Sequence, residues 1–163
     1  MLPGKSEAFI IPSEVSYVAL GGIGEYTGED YLLGRMVSFD YLWAKIRAEG
    51  GAYGCQMSVL PNQSWTMSSY RDPNVKRTIE AFRSTSSWLK DLELGEQELL
   101  NYKIGAVAGY DRTPKTYVQA KRMDSWYLRQ EEPQVRAKGR EGVLKASEED
   151  LKNRRQAMES FAG

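Results

Sequence analysis

The chain has 163 residues, enough for one domain with its own core and too few for two ordinary ones. Acidic and basic residues balance at 22 each, so there is no excess positive field to hold a polyanion, and nucleic acid is not an expected partner. With no histidine and only one cysteine, Cys55, the chain cannot build a Ser/His/Asp or Cys/His triad or an ordinary zinc site.

The longest apolar run, Phe9 to Ile11, is far short of a membrane span, and the N-terminus lacks the basic-then-apolar order of a signal peptide. A soluble cytoplasmic protein with no membrane partner is the expectation, in agreement with a lone cysteine. "EVSYVAL", 14 to 20, is rich in β-branched and aromatic residues and reads as a strand ending at Gly21-Gly22. "GGIGEYTG", 21 to 28, then reads as a surface loop. Its glycines follow a strand and precede a helix, as a phosphate-cradling loop requires, but the third comes one residue late for that motif.

Thr27 with Asp30 resembles a capping box, and Leu32, Met36, Phe39, Trp43 and Ile46 follow at four- and three-residue steps. That spacing predicts an amphipathic helix of about 18 residues with this stripe in the core. Gly50 and Gly51 stop it. Alternation resumes from Ala52 to Arg71, with Tyr53, Cys55, Met57 and Val59 on one face and "LPNQS" offering a turn, which predicts an antiparallel hairpin. Cys55 on that face reads as a small buried hydrophobe.

"DPN" opens the next helix, with Asp72 as N-cap, Pro73 at the first helical position and Val75, Ile79, Phe82 and Leu89 as its buried stripe. Ser87 and Lys90 match S-x-x-K, but no companion motif of serine acyl enzymes is present. Further helices are predicted over 96 to 108, 118 to 127 and 135 to 144, followed by a last one capped by Ser147 with Asp150. The sum is an α+β fold: an antiparallel sheet with helices packed on one face, over 1–163 as a single, partial domain. Three strands leave two edges, which a neighbouring segment or a partner chain would cover and through which the chain could form a homo-oligomer.

One turn carries more than a helix stop requires. "KIRAEGGAYGC", 45 to 55, sets Arg47 before two glycines and Tyr53 after them. A C-terminal arginine suits the helix dipole and one glycine suffices for a cap. The second glycine would let a backbone or ligand approach closely, between a guanidinium and a phenol.

"YLWAKIRAEGGAYG" (41 to 54), "SSYRDPN" (68 to 74) and "TIEAFRSTSSWL" (78 to 89) together resemble the C-terminal region of pitrilysin-type (inverzincin) zinc metallopeptidases, in the presequence-protease branch. The likeness extends more loosely from about Glu7 to about Ser160. It implies a peptidase of four similar α+β modules in two halves that close on an unstructured peptide. The family's first module holds zinc on an inverted H-x-x-E-H motif, whose glutamate is the general base. This chain has neither that motif nor any histidine, so the resemblance makes it the last module, a fragment inactive alone, with the N-terminal half as its partner. Zinc would then be a cofactor of that half, with no metal ligand here.

By the same resemblance, Arg47 and Tyr53 are auxiliary catalytic residues that reach the distant zinc site, and Arg47, Tyr53, Gly50 and Gly51 form the substrate-binding turn. Tyr70, Arg71 and Asp72 carry a weaker functional reading. A protein-interaction scaffold of the same fold is the rival from a different class.

Overall fold

The computed structural model describes residues 5–162. Three strands, β1 (Ser16–Ile23), β2 (Gly54–Val59) and β3 (Ser64–Asp72), form an antiparallel sheet in the order β1-β3-β2, so the hairpin's second strand is central. Val18 lies opposite Ser69, Leu20 opposite Met67, and Met57 opposite Met67. One sheet face therefore carries Val18, Met57, Val59, Trp65 and Met67 into the core. The fold is α+β, with helices packed against this sheet.

β1 starts later than the alternation suggests and runs through both glycines, pairing Gly21 with Thr66 and Gly22 with Trp65. Gly24 donates its N–H to the Gln63 carbonyl at 3.0 Å. The glycine run is thus committed to the sheet and its hairpin, not free to cradle a phosphate.

Thr27 caps α1 (Gly28–Met36) by accepting from the Asp30 N–H at 3.2 Å. Asp30 is 1% exposed and is reached by Arg154, whose Nε lies 3.2 Å from Oδ1. From Val37 to Ala48 the same helix continues with π-type turns, the Glu49 N–H reaching back five residues to Ala44. This change of turn corrects the predicted stripe. Leu32, Leu33, Met36, Val37, Leu42 and Ile46 are buried, whereas Phe39 and Trp43 are 58% and 47% exposed. In an α-helix, residues four apart drift by about 40° around the axis. The wider π turn rotates the chain less per residue and opposes that drift, and Phe39 and Trp43 both stay on the outward side.

The hairpin and its four-residue connection, 60 to 63, are as read from the sequence. Ser38, on the π-helical stretch, accepts the Met57 N–H at 2.8 Å and so covers part of the free β2 edge. The next helix departs from prediction. Asp72 ends β3, Asn74 is the N-cap, and α2 (Val75–Arg83) and α3 (Thr85–Lys90) are separated at Ser84. Asp72 acts from one position further out: its buried carboxylate accepts from Ser69 Oγ and Thr78 Oγ1, each at 2.5 Å, and from the Asn74 N–H at 2.8 Å. The bond to Thr78 turns that residue inward with Ala81, Phe82 and Leu89, leaving Val75 and Ile79 40% and 38% exposed.

The C-terminal helices are α4 (Glu96–Asp111), α5 (Thr116–Leu128), α6 (Pro133–Lys145), α7 (Glu148–Asn153) and α8 (Arg155–Ala162). Ser147 and Asp150 make the expected capping box on α7. Val143, Ala146, Leu151, Met158 and Ala162 complete the core from this side. No residue of α5 is buried. Among the described residues, no helix is long and apolar enough to cross a membrane.

Candidate functional site

The turn after the π-helical stretch presents Arg47 and Tyr53, and both of its glycines have backbone reasons. Gly51 has φ +81°, a left-handed conformation that disfavours side chains. A Cβ at Gly50 would stand 2.4 Å from the Ile46 carbonyl oxygen. The Gly51 N–H bonds the Arg47 carbonyl at 3.0 Å and the Ala52 N–H bonds that of Ile46 at 3.1 Å. Each bond spans one residue more than in a Schellman cap, as a widened last turn requires. The close approach at Gly50 is thus made by the helix's own backbone.

Arg47 and Tyr53 come together on one open groove of about 540 Å³, which Arg35, Phe39, Trp43 and Tyr70 also line. Tyr53 is 61% exposed. Among the described residues, neither its hydroxyl nor the Arg47 guanidinium is engaged in a hydrogen bond or ion pair; the guanidinium lies 5.9 Å from the Trp43 ring centroid. Cys55, at the groove floor, is half-buried, and burial pushes its thiol up despite the opposing effect of Arg47. That suits a packed side chain better than a nucleophile.

The strand β3 supplies the rest. Ser16 pairs with Asp72 and Tyr17 with Tyr70, so Arg71 is a bulge residue without a partner on β1, with φ +50° and its carbonyl accepting the Tyr53 N–H at 3.3 Å. The bulge places the Arg71 guanidinium 5.7 Å from the Tyr53 ring centroid. Tyr70 lies 5.4 Å from Tyr53, ring to ring, and its phenol occupies the space a Cβ on Gly54 would need. Tyr53 is therefore flanked by both residues, and the two motifs read separately in the sequence form one cluster.

A family model, the PreP C-terminal domain, matches residues 6–161. The chain belongs to the presequence-protease C-terminal domain family. It is 34% identical over 154 residues to Protein HypA of Clostridium perfringens, covering 91% of this chain and 16% of that protein. It is 30% identical over 165 aligned positions to Presequence protease 1, chloroplastic/mitochondrial, of Arabidopsis thaliana, covering 97% of this chain and 15% of that one. A 90-residue stretch is 32% identical to the mitochondrial presequence protease of Danio rerio, covering 53% of this chain and 9% of the relative. The chain thus spans about a sixth of the length of the first two relatives.

Within this presequence-protease domain, Arg35, Phe39 and Trp43 are groove residues that sequence reasoning assigned to the core or left aside, and Tyr70 is one to which it gave only a weaker functional reading. The signal for the first three was present as the four-residue repeat Arg35, Phe39, Trp43, Arg47, which an α-helical stripe obscures. Among the described residues, no three of His, Cys, Asp and Glu are grouped so as to hold a metal ion.

Proposed function

We propose that this chain is the C-terminal, non-metal-binding module of a zinc metalloendopeptidase that degrades unstructured peptides. In this reading the N-terminal half of the enzyme owns the zinc, which activates water and polarises the scissile carbonyl. The present chain contributes donors. The Tyr53 phenol donates a hydrogen bond to the oxyanion that develops on the carbonyl, worth about 3–4 kcal/mol when well placed. Arg47 directs its N–H fork at a neighbouring peptide carbonyl and fixes the substrate's register.

The observation that carries this reading is a pair of uncommitted donors, Arg47 and Tyr53, facing one open groove in a presequence-protease domain. Donors buried in the chain's own hydrogen bonds could not be lent to a substrate. The test mixes the chain with a separately expressed N-terminal half and follows hydrolysis of a fluorogenic peptide. Activity is expected only in the mixture, and Tyr53→Phe is expected to lower it about 10²- to 10³-fold. Full activity with Tyr53→Phe, or chelator-sensitive hydrolysis by the chain alone, would overturn the proposal.

A further inference from the structure

The groove beside Arg47 and Tyr53 continues along the helix, and its composition is one-sided. Arg35, Phe39, Trp43 and Arg47 stand at four-residue intervals and all line it. Each guanidinium rests on an aromatic neighbour, Arg35 at 5.5 Å from the Phe39 centroid and Arg47 at 5.9 Å from that of Trp43. Stacking of this kind holds an arginine in a defined place with its edge still free to donate.

Among the described residues, no carboxylate lines this groove. Among the described residues neither arginine makes an ion pair, and Arg35 Nε, itself buried, has no hydrogen-bond partner. Asp40 is engaged by the Tyr102 hydroxyl, and Glu98, which shares an adjoining cavity of about 330 Å³ with Arg35, is not paired with it. On a chain of zero net charge, this is a local concentration of unpaired cations and exposed rings. An anionic, extended ligand complements it.

Arg35 and Arg47 are twelve residues apart. At a helical rise of about 1.5 Å per residue they are separated by at most roughly 18 Å. An extended peptide covers that in about five residues at ~3.3 Å each.

We propose that Arg35 is a specificity-determining residue: it pairs with a substrate carboxylate about five residues from the peptide group held at Arg47 and Tyr53, while Phe39 and Trp43 support the side chains between. The position of that peptide group rests on the function proposed above. The carboxylate can come from an aspartate or glutamate side chain or from the peptide's own C-terminus, since the guanidinium fork fits either.

The test measures binding, not hydrolysis, and so needs no zinc. Fluorescein-labelled, unstructured 12-residue peptides are titrated with the intact 163-residue chain at low salt and read by anisotropy. One arm scans a single Glu against Gln along the peptide; the other compares a free C-terminal acid with its amide. In at least one arm the carboxylate is expected to tighten binding about tenfold over its neutral counterpart. Arg35→Gln is expected to erase that tenfold preference, weakening the neutral peptide far less than the acidic one, and Arg35→Lys to retain part of the preference. Neutral peptides binding as tightly as acidic ones, Arg35→Gln weakening both alike, or no binding up to millimolar peptide would overturn the inference. A tenfold preference found alongside a harmless Tyr53→Phe would sink the peptidase reading and leave the carboxylate site standing.

Discussion

The Arg71 guanidinium lies 5.7 Å from the ring centroid of Tyr53, and it gets there because Arg71 is a bulge residue held at φ +50°. A left-handed conformation costs a non-glycine residue about 1–2 kcal/mol. An exposed cation–π contact returns only about 0.5–1 kcal/mol, so stability alone does not account for an arginine here.

Arg71→Gly separates the two effects. Glycine relieves the backbone strain while deleting the contact, so the melting temperature is expected to hold or rise slightly. In the two-half peptidase mixture, hydrolysis is expected to fall about tenfold or more, because a loosened Tyr53 is displaced from its working position. A variant as active as the parent would deny Arg71 any part in positioning Tyr53.

The glycine pair makes a contrast within one turn. At Gly51 a Cβ meets only the Pro73 ring at 3.6 Å, and the penalty of Gly51→Ala is the positive φ, about 1 kcal/mol. At Gly50 the same methyl would sit 2.4 Å from a backbone oxygen that cannot move without breaking the helix end. Gly50→Ala is therefore expected to cost about 3 kcal/mol or more. Denaturant midpoints that rank the two variants the other way would contradict the widened helix end described above.

These same elements show what the sequence revealed and what it hid. The hairpin, the Thr27 and Ser147 caps and the Arg47–Tyr53 turn were legible because each depends on short-range chemistry: alternation, a hydroxyl three residues before a carboxylate, glycines after a stripe. Phe39 and Trp43 were misplaced because a 3.6-residue period was assumed where the helix widens, and nothing local announces a π turn. Val75 and Ile79 were misplaced because the Asp72–Thr78 bond, six residues long, outweighed two aliphatic side chains in setting the helix's rotation. Tyr70 and Arg71 meet Tyr53 through the hairpin register, which pairs Gly54 with Tyr70 and brings the Tyr53 N–H to the Arg71 carbonyl, while the left-handed backbone of Arg71 belongs to a bulge whose position depends on the pairing of β1 with β3.

Asp72 supplies a stability test. Its carboxylate satisfies two hydroxyls and one N–H away from water, so Asp72→Ala leaves three donors without their acceptor. A loss of about 3 kcal/mol is expected, at the upper end for one buried hydrogen-bonding group because the acceptor is charged and shared. If chemical denaturation showed a loss under 1 kcal/mol, the carboxylate would not be holding β3 to α2.

Two carboxylates should respond to acid in opposite senses. Burial raises the Asp30 carboxyl above its ordinary value of 3.8, with the Thr27 hydrogen bonds and Arg154 only partly opposing it. The folded chain then binds this proton more tightly than the unfolded one, so stability is gained as pH falls through the raised value and the gain is complete below 3.8. At Asp150 the capping bonds to Ser147 lower the carboxyl below 3.8; its contribution is present above that value and is lost as pH falls through the lowered one. Melting temperatures of the parent, Asp30→Asn and Asp150→Asn between pH 7 and pH 3 test both signs. On acidification the parent is expected to improve relative to Asp30→Asn and to decline relative to Asp150→Asn. A parent that loses ground to Asp30→Asn would mean that Arg154 outweighs burial, with Asp30 more stable charged than neutral in the fold.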